Sequence, residues 1–185
     1  VANGGIVKKN QLEELHIDYR RILDFVEKGD LIRIKSGYYT IRIGDYSEDE
    51  LIAKLFPDAV LTMECALYVY GYIKRKPYGY QVAVDKNTSK SRFKLEFPKV
   101  TPFYAEPETL HFGVDSIDFG NAKMQIFDKD RLICECLKYE DKMERTVFKE
   151  GVLSYIKDEK KDVAKLMKYA RERRVVKKVQ SMIGV

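Results

Sequence analysis

Residue types that could carry out catalysis are sparse in this sequence. The two histidines, His16 and His111, lie in different segments, and no metalloprotease, phosphate-binding-loop, serine-hydrolase or dinucleotide-binding motif occurs. Asp115 and Asp118 are the best candidates for a metal-binding carboxylate pair, but a spacing of three does not place both on one face of a strand. We therefore favour a structural role for both aspartates, and we predict no enzyme activity, no metal and no cofactor.

Arg20 and Arg21 point to a different chemistry. Their planar guanidinium groups can pair with the edge of a guanine base or with a phosphate. Both stand at the start of a predicted helix that Asp18 can cap and that Lys28-Gly29 can end. The predicted core face of this helix consists of Ile22, Leu23, Phe25 and Val26.

The elements around these arginines follow a characteristic order. A short amphipathic helix from about Lys8 to Leu15 comes first, then the arginine-bearing helix, then two alternating runs on either side of Ser36-Gly37. The alternation predicts a β-hairpin. Its inward residues would be Ile32, Ile34, Tyr39 and Ile41, and its outward residues Arg33, Lys35, Tyr38 and Arg42. Helix, turn, helix and two-stranded wing is the order of a winged helix-turn-helix, whose second helix reads the major groove.

The rest of the chain predicts a second domain. Ser47 and Thr62 can each cap a helix. Short extended runs follow, and then helical periodicity from Asp130 to the end, divided into four helices. The extended runs are 80–84, 92–97, 100–106, 110–114 and 123–127. We predict an α+β protein in which a winged helix-turn-helix (1–46, its first helix preceding Val1) is followed by a C-terminal domain (47–185) with a small, mostly antiparallel sheet and a helical C-terminal region.

The positive charge is unevenly distributed. The net charge is +5, yet residues 72–99 and 157–178 each carry +6 and residues 1–46 only +1. On the third C-terminal helix Lys161, Lys165 and Lys168 fall opposite Val163, and the stripe continues through Arg171, Arg173, Arg174, Lys177 and Lys178. Such a stripe is either a solvated face or an anion-binding surface.

The remaining composition is that of a cytoplasmic globular protein. No run approaches the roughly 18 apolar residues of a membrane helix. The three cysteines, Cys65, Cys134 and Cys136, form no C-x-x-C motif, and we expect them to be reduced and buried.

The order of these elements resembles the AbiEi family, the antitoxins of bacterial type IV toxin-antitoxin systems that act in abortive infection and phage defence. The resemblance rests on the winged module, on the stretch PDAVLTMECALY (57–68) and on FDKDRLICECL (127–137). The acidic position after Arg131 is usually Asp in the family pattern and is Glu135 here.

The resemblance implies a two-domain regulator. The winged helix would bind inverted repeats in its own promoter and repress transcription, through Lys8, Lys9, Tyr19, Arg20, Arg21, Arg33, Lys35 and Tyr38. The C-terminal domain would counteract a nucleotidyltransferase-like toxin of the AbiEii type without a stable complex. Our candidates for the antitoxic surface are Lys161, Lys165, Lys168 and Arg171.

Two other functions remain open at this level. The winged helix could be a docking module for RNA or protein without antitoxin activity. A nuclease or nucleotidyltransferase that uses Asp115 and Asp118 is the third hypothesis.

Overall fold

The computed structural model describes residues 5–41 and 47–185. The described chain forms two compact units, and each unit is built from segments that are not continuous in sequence. One unit contains the described residues up to Pro57 together with Ser89–Val100 and Asp118–Lys123. The other contains Asp58–Thr88, Thr101–Ile117 and Met124–Val185. The predicted domain bounds, 1–46 and 47–185, stay a prediction.

The first unit begins with two helices inserted into a small sheet. The three strands form an antiparallel sheet in which the third strand lies between the first and the second. The predicted helices and hairpin are confirmed, and Asp18 caps the second helix through its Oδ1, which accepts a hydrogen bond from the Arg21 backbone N at 2.9 Å. The elements are β1 (Ile6–Lys8), α1 (Lys9–Glu14), α2 (Tyr19–Glu27), β2 (Leu31–Lys35) and β3 (Tyr38–Ile41).

The core of this part differs from the predicted one in detail. It contains Leu12, Ile22, Leu31 and Tyr39, whereas Leu23 is 42% exposed because it lies about 100° around α2 from Ile22. Ile34 and Tyr39 face inward as predicted, but Ile32 and Ile41 are only half-buried. A register shift between Arg33 and Lys35 interrupts the alternation, because one extra residue moves the following side chains to the other face. Arg42 lies outside the described residues.

The first unit is completed by α3 (Glu48–Leu55) and by the 89–100 segment. Ser47 caps α3, since its hydroxyl accepts a hydrogen bond from the Glu50 backbone N at 3.1 Å. The predicted strand 92–97 is wrong: Lys90–Phe93 is a 3-10 turn. Phe93 stacks on Phe56 at 5.4 Å between ring centroids, and burial of that ring favours the turned backbone over an extended one.

A five-stranded sheet has the order β6-β5-β4-β8-β7. Its central strand β4 pairs antiparallel with β5 and parallel with β8. The predicted strand 110–114 is wrong, because Pro107 begins a short helix, α5 (Pro107–Leu110), and the strand starts only at Val114. The hairpin turn predicted at Gly120-Asn121 joins β7 and β8. The strands are β4 (Val60–Leu61), β5 (Tyr80–Asp85), β6 (Val100–Ala105), β7 (Val114–Phe119) and β8 (Ala122–Phe127).

The helices of the second unit surround α6 (Lys129–Lys138). This helix is buried continuously from Asp130 to Leu137. All four predicted C-terminal helices are confirmed. Thr62 precedes α4, but its hydroxyl makes no capping hydrogen bond. The helices are α4 (Met63–Val69), α6 (Lys129–Lys138), α7 (Arg145–Lys157), α8 (Val163–Arg173) and α9 (Val176–Ile183). The molecule is thus a mixed α+β protein with a small sheet and a helical C-terminal region.

Candidate nucleic-acid interface and an aspartate-lined cavity

The first turn of α2 carries Arg20 and Arg21 into solvent. Both side chains are exposed. Within residues 5–41 and 47–185, neither guanidinium group forms an ion pair or a side-chain hydrogen bond. The two positive charges are therefore available to an external anion.

Backbone pairing places two lysines beside Tyr38. In the sheet register both Lys8 on β1 and Lys35 on β2 are partners of Tyr38 on β3. Lys35 Nζ lies 4.3 Å from the centroid of the Tyr38 ring, and Lys8 Nζ lies 5.7 Å from it. Each such contact stabilises an exposed cation by about 0.5–1 kcal/mol. The ring therefore holds two like charges close together at the end of the sheet, and we name Lys8, Lys35 and Tyr38 the Tyr38 cluster.

A second pairing of lysine and tyrosine joins the two helices. Lys9 Nζ lies 4.9 Å from the centroid of the Tyr19 ring, and it also forms an ion pair with Glu13 at 3.2 Å. Tyr19 is 45% exposed. Tyr19 therefore presents ring surface to solvent next to Arg20.

Arg33 differs from the other predicted DNA contacts. Its Nε lies 3.2 Å from Glu96 Oε1, although it is not aligned for a hydrogen bond, and its side chain is 36% exposed. Glu96 belongs to the segment that packs on the hairpin, where its backbone N donates to the Ile34 carbonyl at 2.7 Å. The hairpin pattern predicted that Arg33 points outward into solvent. It could not predict the pairing with Glu96, because Glu96 is distant in sequence.

The predicted antitoxic surface contains three exposed cations and one cation that is bound inside the protein. Lys165, Lys168 and Arg171 are exposed on α8, and their side chains form no ion pair within the described parts of the chain. Lys161 precedes the helix, and its Nζ donates to the carbonyls of Ile156 and Asp158 at 2.9 and 3.1 Å. Because these carbonyls lie at the end of α7, Lys161 satisfies helix-terminal acceptors.

The stripe does not continue through Arg173, which is 5% exposed. Arg173 binds Glu135 with two hydrogen bonds, from Nε to Oε1 at 2.5 Å and from Nη2 to Oε2 at 2.8 Å. Arg131 Nε donates to the same Oε1 at 2.7 Å. Lys178 is also engaged, since its Nζ donates to the Leu137 carbonyl at 2.8 Å. The i,i+4 spacing of Arg131 and Glu135 is visible in the sequence, whereas the third member, Arg173, is not.

The arginine–glutamate triad of Arg131, Glu135 and Arg173 is enclosed by polar and aromatic groups. Thr109 accepts from both arginines, through its carbonyl at 2.9 Å from Arg131 Nη2 and through its hydroxyl at 3.1 Å from Arg173 Nη1. The centroid of the Phe112 ring lies 3.9 Å from Arg131 Cζ. Two cations on one carboxylate leave the triad with a formal charge of +1. Burial lowers the pKa of Arg131, because removing a cation from water disfavours its charged form.

The second unit also contains a cavity of about 330 Å³. Its lining consists of tyrosines, aspartates and lysines, namely Tyr70, Tyr72, Asp115, Asp128, Lys129, Asp130, Asp158, Lys160, Asp162 and Lys165. A small polar molecule would fit a space of this size.

Most of the aspartates in the cavity bind the helices around them. Asp128 and Asp162 cap α6 and α8. Asp130 Oδ1 accepts from the Tyr155 hydroxyl at 2.8 Å and from the Asp162 backbone N at 3.0 Å, and burial raises the pKa of Asp130. The cavity wall is therefore a hydrogen-bonded joint between α6, α7 and α8.

Asp158 completes this joint at the end of α7. Its Oδ2 accepts from the Tyr72 hydroxyl at 2.5 Å and from Lys129 Nζ at 2.9 Å. These hydrogen bonds, that from Tyr72 first, lower the pKa of Asp158 to about 2. The carboxylate is thus ionised and engaged at neutral pH.

Asp115 and Asp118 are not brought together. Asp115 lines the cavity, while Asp118 forms an ion pair with Lys123 across the β7–β8 hairpin at 2.6 Å. In the described ranges no group of three or more His, Cys, Asp or Glu side chains is arranged to hold a metal ion.

The three cysteines are buried and form no disulfide bond, as predicted. Burial raises the pKa of Cys134 to about 12, which disfavours the reactive thiolate. Cys134 and Cys136 both lie on the enclosed helix α6 and contribute to its packing.

No helix in the described part of the chain combines the length and the apolar character needed to cross a membrane. Neither a scan against protein-family models nor a search of curated proteins finds a match to this sequence.

Proposed function

We propose that the first part of the chain is a winged helix-turn-helix that binds duplex DNA through α2. The observation that carries this proposal is the sheet order β1-β3-β2 with α1 and α2 inserted between β1 and β2. This arrangement puts a two-stranded wing next to a second helix whose N-terminal residues are exposed. In helix-turn-helix proteins those N-terminal residues contact base edges in the major groove.

The charges of this part suit such a contact. Arg20 and Arg21 are exposed and free of internal ion pairs in the part of the chain that is described, and an arginine fork can read guanine O6 and N7. The Tyr38 cluster adds two ammonium groups, Lys35 on the wing and Lys8 on the neighbouring strand β1, and these would meet backbone phosphates. In this proposal α2 contacts the bases, and the Tyr38 cluster contacts the phosphates of the DNA.

We further propose that this DNA binding serves autorepression in a type IV toxin-antitoxin system. The sequence resemblance to AbiEi antitoxins supports this role. The operator would be an inverted repeat in the protein's own promoter, and the C-terminal domain would counteract a nucleotidyltransferase-like toxin in the cytoplasm without a stable complex. The exposed cations of α8, Lys165, Lys168 and Arg171, are the best-supported part of the predicted antitoxic surface because no internal partner among the described residues neutralises them.

A gel-shift titration of the protein's own promoter tests the DNA-binding proposal. We expect Arg20→Ala with Arg21→Ala to weaken binding by about 1–3 kcal/mol for each lost base contact. Affinity should fall steeply as salt rises, since phosphate contacts release counterions. Lys94→Ala with Lys99→Ala removes the same charge from exposed positions of the same unit and serves as the matched control.

Two results would contradict the proposal. Equal losses in the arginine variant and in the control would reduce the effect to general charge. Preference of the wild-type protein for a structured RNA over the promoter duplex would favour the RNA-docking alternative.

A further inference from the structure

Two aromatic rings and two lysines that do not line the cavity meet on the second unit. Phe103 on the edge strand β6 and Tyr139 at the end of α6 pack at 5.3 Å between ring centroids, with the ring planes at 64°. Lys142 Nζ lies 5.0 Å from the Tyr139 centroid and 5.9 Å from the Phe103 centroid, and Lys138 Nζ lies 5.9 Å from the Tyr139 centroid. Both rings are half-buried, and both lysines are exposed. We name these four residues the aromatic–lysine cluster.

The surroundings of this cluster carry excess positive charge. The buried triad contributes a formal +1 from Arg131, Glu135 and Arg173. The pKa of Lys138 lies below its usual value, first because of burial and then because of the charge of Arg173. Glu135 opposes this shift, and Arg131 and Arg174 add smaller lowering effects. Arg173, Arg131 and Arg174 thus add positive charge around Lys138, and an external anion would stabilise its charged form.

The nearby acids do not cancel this excess. Glu140 forms an ion pair with Lys178 at 3.1 Å. Asp141 is exposed between Glu140 and Lys142. Lys138, Lys142, Arg174 and Lys178 give four positive charges against these two negative ones.

The combination of rings and cations narrows the class of ligand. A free phosphate would need the lysines but not the rings, and a hydrophobic ligand would need the rings but not the lysines. A nucleotide strand needs both, because its bases stack on aromatic side chains and its phosphates pair with cations. A lysine on an exposed ring contributes about 0.5–1 kcal/mol, whereas a stacked base contributes about 1–3 kcal/mol. A base can thus displace a lysine from the ring and leave its ammonium group for the adjoining phosphate.

We propose that the aromatic–lysine cluster binds single-stranded nucleic acid, with a base stacked on Tyr139 or Phe103 and the adjoining phosphates paired with Lys138 and Lys142. This site lies on a different unit from α2 and does not depend on the proposed promoter binding.

Fluorescence anisotropy of the full chain with a labelled oligouridine of roughly 12 nucleotides, a length within the usual range for one binding site, tests the proposal. We expect Lys138→Gln with Lys142→Gln, and separately Tyr139→Leu, to weaken binding by about tenfold. Tyr139→Phe keeps the stacking face and should bind like the wild type. Lys149→Gln with Lys157→Gln removes two exposed lysines from α7 and is the charge-matched control, expected within about twofold of the wild type.

Parallel titrations distinguish the sources of the ligand. Oligodeoxythymidine of the same length compares DNA with RNA, and competition by adenosine monophosphate asks whether one nucleotide suffices. The Arg20→Ala, Arg21→Ala variant should keep its oligouridine affinity, and the lysine variant of the cluster should keep its promoter affinity.

The outcomes that overturn the proposal are specific. Absence of single-strand binding by the wild type, or equal losses in the cluster variant and the α7 control, would each do so. Thermal unfolding is measured for every variant, and if Tyr139→Leu fails to fold, the surface pair Lys138→Gln, Lys142→Gln decides the question.

Discussion

The first turn of α2 and the C-terminal region differ in how much of their positive charge is paired inside the protein. Residues 1–46 carry a net charge of only +1, yet Arg20 and Arg21 are exposed and have no ion pair within the described residues. Residues 157–178 carry +6, but Lys161 and Arg173 are engaged inside the second unit. The comparison teaches that the charge available to a partner is the part left after internal pairing, which the net charge of a segment does not report.

The largest expected effect concerns Arg131 and Arg173, the buried cations that are paired with Glu135. Glu135→Ala would leave Arg131 and Arg173 facing one another without a counter-charge, so we expect the free energy of unfolding to fall by about 3–5 kcal/mol. Urea unfolding measures this loss. Glu172→Ala, on the exposed face of α8, should change stability by no more than about 0.5 kcal/mol. A loss below about 1 kcal/mol for Glu135→Ala would show that the triad is not a closed network.

An effect of intermediate size concerns the exposed cations of α8. Charge reversal at Lys165, Lys168 and Arg171 should abolish rescue of cells arrested by the proposed nucleotidyltransferase-like toxin, while promoter binding stays within about twofold. Growth after co-expression measures rescue. Lys161→Gln should keep rescue, because that ammonium group is already bound to the carbonyls at the end of α7. Full rescue by the reversed variant would show that these cations are merely solvated.

The smallest effect separates Arg33 from the arginines of α2. Arg33 is paired with Glu96, and such a partly exposed ion pair is worth at most about 1 kcal/mol. We therefore expect Arg33→Ala to change promoter affinity by about twofold or less in the same gel-shift assay. A loss as large as that of the Arg20→Ala, Arg21→Ala variant would place Arg33 at the DNA despite its ion pair with Glu96.

The sequence correctly predicted the N-terminal caps of α2 and α3, the hairpin and the C-terminal helices, because the interactions that form them lie between residues close together in the chain. Asp18 and Ser47 cap helices as expected, because a cap needs only a side-chain oxygen and a backbone amide a few residues away. The hairpin 31–41 and the four C-terminal helices follow from periodicity in the same way. The strand 92–97 was wrong because Phe93 is buried against Phe56, a contact between segments far apart in sequence.

The candidate sites were predictable to a smaller extent. The register that places Lys8 and Lys35 on either side of Tyr38 requires β1 to pair with β3. A strand of three residues, such as β1, is too short to produce a recognisable alternating pattern. The aromatic–lysine cluster joins Phe103 on an edge strand to Tyr139 after a helix. No local pattern relates these two residues.

The sequence by itself determined which residues could act: arginines at the start of a capped helix, lysines with tyrosines in a short hairpin, and a C-terminal region rich in cations. The charge of a residue, the capping of a helix and the period of the hydrophobic pattern depend on residues close together in the chain. They can therefore be deduced before the fold is known. Only the tertiary structure decided which of these charges remain available, because the partner that neutralises a cation, such as Glu96 for Arg33 or Glu135 for Arg173, comes from a distant segment through burial of apolar surface and strand pairing.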